Sequence, residues 1–115
     1  MSARLIAITV TGGATLDAEL DPAFGRAERY LVVDADAGEV VRAVDNPAVN
    51  AEHGAGIQAA DTIGKLGVIA VLSGGFGPKA AAGLRSLGVA MYEVPAKLTA
   101  AQVLDDYQHD RLSPR

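Results

Sequence analysis

At 115 residues and 11.8 kDa, half of them hydrophobic, the chain can bury one core and not two, so a single domain over residues 1–115 is expected. A net charge of -4 and a pI near 5.0 offer no broad basic surface, which removes nucleic acid as an expected partner. Zero cysteines exclude disulfides, thiolate metal ligands and a cysteine nucleophile, and the short apolar opening Met1–Val10 resembles neither a secretory leader nor a membrane span, so the cytoplasm is the expected location.

Arg4–Thr11 is almost continuously apolar and rich in β-branched residues, as in a central strand covered on both faces. It ends at Gly12-Gly13. Residues 12–28 carry glycine, Asp17, Asp21, Pro22 and Gly25 without periodicity, which predicts a long loop of the kind that often holds function. Arg29–Asp34 and Glu39–Val44 flank Ala35-Asp36-Ala37-Gly38 and read as an antiparallel hairpin, stopped by Asp45-Asn46-Pro47. A helix is expected from about Asn50–Gly56 to Lys65, with Ile57, Ala60, Ile63 and Gly64 inward and Gly67 closing it. Val68–Leu72 reads as a buried strand that empties into Ser73-Gly74-Gly75-Phe76-Gly77. Pro78 then opens a helix to about Ser86, with Ala81, Leu84 and Leu87 inward. Val89–Tyr92 is a further short strand. Thr99 and Gln102 form a candidate capping box for a last helix, Leu98 and Val103 a candidate staple, and Ala100, Val103, Leu104 and Tyr107 its inner face. Asp110–Arg115 is expected to fray.

The order β-β-β-α-β-α-β-α predicts a five-stranded mixed sheet with helices on both faces, strand order 3-2-1-4-5 and strand 2 antiparallel. The first and fourth strands then part their connections in opposite directions, opening a crevice at their carboxyl ends. Gly12-Gly13 and Gly74–Lys79 are expected to line it. The glycine loop leaves amides free at a helix start, where the helix dipole favours an anion and Lys79 adds a full charge. Arg26 offers a planar, bidentate anion clamp in an uncharged run. His53, followed by Gly54 and Gly56 at a helix entrance, has room beside it for a bulky group and could ligate iron or another borderline metal, whereas His109 among Asp105, Asp106 and Asp110 reads as a surface residue.

Enzyme chemistry has little support. Gly75-Phe76-Gly77-Pro78-Lys79-Ala80 formally fits G-x-G-x-x-A, with Glu93 where a ribose-binding acid could stand. Pro78 deletes an amide, however, and too little chain follows for a dinucleotide fold. The same stretch is no P-loop, since Ala80 stands where magnesium needs a hydroxyl. The acids are scattered over turns, and no carboxylate dyad or serine triad is spaced for catalysis.

Four motifs in order carry a resemblance: Asp21-Pro22-Ala23-Phe24-Gly25-Arg26-Ala27, Asp45-Asn46-Pro47-Ala48, His53-Gly54-Ala55-Gly56 with Gln58-Ala59-Ala60, and Gly74-Gly75-Phe76-Gly77-Pro78-Lys79-Ala80. The chain resembles the dinitrogenase iron-molybdenum cofactor biosynthesis family, which includes nitrogenase accessory factors, over nearly its whole length. The resemblance implies a three-layer α/β/α, ribonuclease H-like fold. It also implies a non-enzymatic protein that binds or carries the iron-molybdenum cofactor or its iron-sulfur precursor, as a monomer or weak homodimer, with nitrogenase or cofactor-assembly proteins as partners. His53 becomes the expected metal ligand. Gly12, Arg26, Gly54, Gly74, Gly75, Gly77 and Lys79 complete the expected cofactor-binding set. A sensor or regulatory domain that takes a small organic or phosphate anion in the same crevice is the alternative, and a nucleotide-processing enzyme comes third.

Overall fold

β1 (Leu5–Thr11) is buried along its length, as its unbroken apolar run requires of a strand covered on both faces. It lies at the centre of a computed structural model that describes residues 4–49, 53–95 and 97–115. The remaining elements are β2 (Glu19–Leu20), β3 (Arg29–Asp34), β4 (Glu39–Asp45), α1 (Ala55–Leu66), β5 (Ala70–Ser73), α2 (Pro78–Ser86), β6 (Ala90–Glu93) and α3 (Ala100–Gln108). The main sheet runs β4-β3-β1-β5-β6, with β3 antiparallel to β1 and the β5 and β6 pairings parallel. That is the predicted order and sense. The hairpin turns through Gly38 at φ +71°, a left-handed conformation that glycine enters without strain.

Two cores flank the sheet. One packs Ala7, Tyr30, Val32, Val71 and Met91 against Ala59, Ala60 and Ile63 of α1 and Ala81 and Leu84 of α2. The other packs Ile6, Ile8, Val10, Leu31, Val33 and Leu72 against Ala100, Val103 and Leu104 of α3, with Leu98 and Tyr107 at its margin. Alternation along each strand thus feeds both faces and produces the expected three layers. Among the described residues no helix is long and apolar enough to cross a membrane.

The long loop proves to be partly built. Its Glu19–Leu20 segment pairs antiparallel with the end of β1, a sixth strand too short to leave a pattern in the sequence. The loop also closes the start of α3. Thr99 and Gln102 form the expected capping box, and the Ala100 and Ala101 amides donate to Ala18 O and Leu16 O, both at 2.9 Å. Every early donor of α3 therefore has a partner.

Three expectations need correction. Ile57 is 58% exposed and Leu87 52% exposed, because α1 turns Ala55, Ala59, Ala60 and Ile63 inward and α2 ends at Ser86. Small residues set that helix contact: a Cβ on Gly83 would stand 2.9 Å from the Ala60 methyl. The terminal segment does not fray, since the Arg115 amide donates to Met91 O at 2.7 Å. The expected helix entrance at Asn50–Glu52 lies outside the described residues.

Replacing Thr99 by Ala removes the side-chain partner of the Gln102 amide and the hydroxyl's 3.3 Å bond to Gln102 Oε1, whereas the Ala100 and Ala101 amides keep their backbone carbonyls. Denaturant unfolding of Thr99→Ala should show a loss of about 1 kcal/mol with an unchanged m-value.

Candidate functional site

The segment that follows β2 crosses to the face occupied by α1 and α2, where a frame of side chains fixes its backbone. Asp21 accepts from the Ala23 amide at 2.9 Å through Oδ1 and from the Glu28 amide at 3.1 Å through Oδ2. Buried Asn46 donates from Nδ2 to Gly25 O at 3.0 Å and Ala27 O at 2.8 Å, and its Oδ1 accepts from the Ala48 amide. The Tyr30 hydroxyl donates to Phe24 O at 2.8 Å. Burial, reinforced by the Asp21 charge, pushes that phenol far above its ordinary pKa, so it stays a donor. Phe24 meets Phe76 of the glycine loop at 5.3 Å between ring centroids, which ties the two loops together.

Glycines bring three backbones into contact. A Cβ on Gly25 would lie 3.1 Å from Gly56 Cα, and one on Gly56 would lie 3.2 Å from the Ala80 methyl and 3.3 Å from its nitrogen. Gly74 is tighter still, with a built Cβ only 2.4 Å from Pro22 Cα. Between these backbones opens a cavity of about 540 Å³, within the usual size of small-molecule sites. It is lined by Phe24, Gly25 and Arg26 of the loop, Ala55 and Gly56 of α1, and Gly75 and Gly77–Ala80 around the start of α2, with Pro22 and Ala23 beside them.

The electrostatics have one sign. α1 and α2 both begin at this cavity with glycine at the N-cap, no side-chain cap and no acid in the first turn. The first intrahelical bonds run from Gln58 N–H to Gly54 O and from Ala81 N–H to Gly77 O, both 2.9 Å. The amides of Ala55, Gly56 and Ile57, and of Lys79 and Ala80, precede them and carry no intrahelical partner. Among the described residues no carboxylate lines the cavity. Arg26 and Lys79 form no ion pair among the described residues. Such a site can take an anion with little competition from the protein itself.

Of the expected residues, Arg26, Gly75, Gly77 and Lys79 come together on this cavity. Gly74 stands behind it, its amide donating to Asp21 O at 3.2 Å while its missing side chain admits Pro22. Gly54 caps α1 at φ +74°, and His53 is exposed two residues before Ala55, outside the lining. Gly12 is a correction. It lies off the cavity, at φ +81°, and its amide donates to Glu28 Oε2 at 2.8 Å, as does the Thr11 hydroxyl. These two bonds hold the Glu28 carboxyl below the usual carboxylate range. Its neighbour Gly13 likewise serves the turn, accepting from Arg29 at 2.7 Å. Gly25, Gly56 and Asn46 escaped the sequence reading as site residues, although each sits inside one of the four motifs. Among the described residues no three His, Asp or Glu side chains gather as a metal site.

An α/β sandwich with an uncapped, cationic cavity at two helix starts defines the class, and comparison with known proteins supplies the family. The model of the dinitrogenase iron-molybdenum cofactor family matches residues 4–110, and the chain belongs to that family. The orange protein of Desulfovibrio gigas, solved in its apo form, is similar at 35% identity and a TM-score of 0.91, covering 99% of this chain and 94% of that one. A NifB-like protein from Thermotoga shares 26% identity at a TM-score of 0.81, over 98% of this chain and 93% of its own. An uncharacterised protein of Methanocaldococcus jannaschii is 36% identical over 76 residues, 64% of each chain, so this match spans a little under two thirds of that relative.

Two substitutions separate frame from site. Asn46→Ala leaves the part-buried Gly25 and buried Ala27 carbonyls without this donor and should cost about 2–4 kcal/mol in denaturant unfolding. Gly12→Ala meets no neighbour within 4 Å but is strained at its positive φ, and should cost about 1 kcal/mol of stability while leaving anion binding at the cavity unchanged.

Proposed function

We propose that this chain is a non-enzymatic carrier that holds the iron-molybdenum cofactor, or its iron-sulfur precursor, in the cavity between α1 and α2. One observation carries the reading: two uncapped helix N-termini, Arg26 and Lys79 converge on a cavity that no carboxylate lines among the described residues. An anionic metal-sulfur cluster with its organic acid presents the charge that such donors recognise. Family membership supports this cargo class, and the apo form of the orange protein supports a role in holding a removable group.

The residues divide the work. Arg26 clamps a carboxylate of the cargo's organic acid through its planar fork, Lys79 adds a point charge, and the helix amides distribute the remainder. His53, beside the start of α1, supplies a single imidazole to a metal atom of the cargo. One neutral ligand and a set of charge contacts permit release, which a ring of thiolates would oppose. Nitrogenase or cofactor-assembly proteins receive the cargo under this reading, and the carrier works in the cytoplasm.

Anaerobic titration with isolated cofactor or its iron-sulfur precursor, followed by gel filtration, tests the proposal. Wild type should co-elute with stoichiometric cluster, Arg26→Ala and Lys79→Ala should each bind about tenfold or more weakly, and His53→Ala should lose binding or alter the bound absorption spectrum. Absence of co-elution with folded wild type contradicts the carrier reading. Cavity-dependent binding of simple organic or phosphate anions that ignores His53→Ala would replace it with the sensor reading.

A further inference from the structure

The segment beyond α3 is a built element. Asp110 turns it at φ +55°, the Arg111 amide donates to Asp106 O at 2.9 Å, and the Arg111 guanidinium pairs with Asp106 at 2.8 Å and with Asp105. Leu112 packs on the core beneath α3. The Arg115 amide reaches Met91 O of β6, the last strand of the sheet. Its guanidinium then passes to the other layer. Arg115 Nη1 donates to Phe76 O at 3.0 Å and to Glu93 Oε1 at 3.3 Å, and the guanidinium carbon lies 6.0 Å from the centroid of the Phe76 ring. The segment therefore straps one face of the sandwich to the other around the β6 edge.

Phe76 is the pivot of the glycine loop. Gly75 and Gly77 on either side both line the cavity, and a Cβ on Gly77 would meet nothing within 4 Å, so packing of its own does not hold that position. The peptide between Phe76 and Gly77 is planar, and pointing its carbonyl at Arg115 points the Gly77 amide the opposite way. With glycine flanking it, that peptide can otherwise rotate and exchange the places of a carbonyl and an amide beside an anion site. The ring of Phe76 is anchored by Phe24, but a ring contact leaves the carbonyl direction free.

We propose that Arg115 is a positioning residue, and residues 111–115 a strap, which orients the Gly75–Gly77 backbone for cargo. The strap lies beyond the segment that matches the family, residues 4–110. The cargo half of this inference rests on the proposed function, whereas the loop half is measurable in cargo-free protein.

Amide hydrogen exchange, thermal unfolding and anaerobic cofactor titration should be compared for wild type, Arg115→Ala and Arg115→Lys. Arg115→Ala should accelerate exchange at Gly75–Gly77 about three- to tenfold, weaken cofactor binding by a similar factor and leave α3 exchange unchanged, with Arg115→Lys recovering part of both effects. Unchanged loop exchange in folded Arg115→Ala overturns the proposal, as does acceleration spread through α3 and the sheet. If Arg115→Ala does not fold, Glu93→Gln, which removes the ion pair alone, should give a smaller acceleration confined to the same loop. Local acceleration in a protein whose wild type binds no cofactor upholds the strap and contradicts the carrier.

Discussion

The contact on which this molecule depends is the approach of backbone to backbone where Gly25, Gly56 and Ala80 meet. A Cβ on either glycine would fall at 3.1–3.2 Å from the facing chain, closer than side chains ordinarily pack. Because nothing larger than hydrogen stands there, the loop after β2 and the first turns of α1 and α2 close to one wall. The same economy of side chain continues along the helix pair, where Gly83 faces Ala60. A composition rich in alanine and glycine with few aromatics is the sequence expression of that packing.

Bringing two helix N-termini together places like partial charges side by side, and Arg26 and Lys79 add to the same sign. Among the described residues no lining carboxylate relieves it. The contrast with α3 is instructive: its early amides are satisfied by Thr99, Ala18 and Leu16, whereas α1 and α2 begin with bare glycine caps. An anion that enters the cavity is thus the natural partner for helix-start donors that have no partner within their helices.

The strand order was legible because a hairpin followed by two right-handed crossovers leaves few windings. Proximity of Lys79 to the glycine loop was local, and Arg26 could be placed by its motif. Other features lay in tertiary contacts. Glu19–Leu20 becomes a strand only because β1 extends beside it, and Ile57 faces outward because Ala60 must meet Gly83. Gly12 resembled a ligand-loop glycine, yet its positive φ and the Glu28 carboxylate explain it as a turn. Arg115, in a polar tail, carries no sequence signal of the Phe76 carbonyl that it meets.

In the proposed carrier the two helix starts themselves form the cargo site. Residue-resolved amide NMR of the protein before and after anaerobic loading with isolated iron-molybdenum cofactor tests it most directly. Shifts and broadening should centre on Arg26, Ala55–Ile57 and Gly75–Ala80. Perturbation centred instead on the Gly12 turn or the β4 edge, with those amides unmoved, would contradict it.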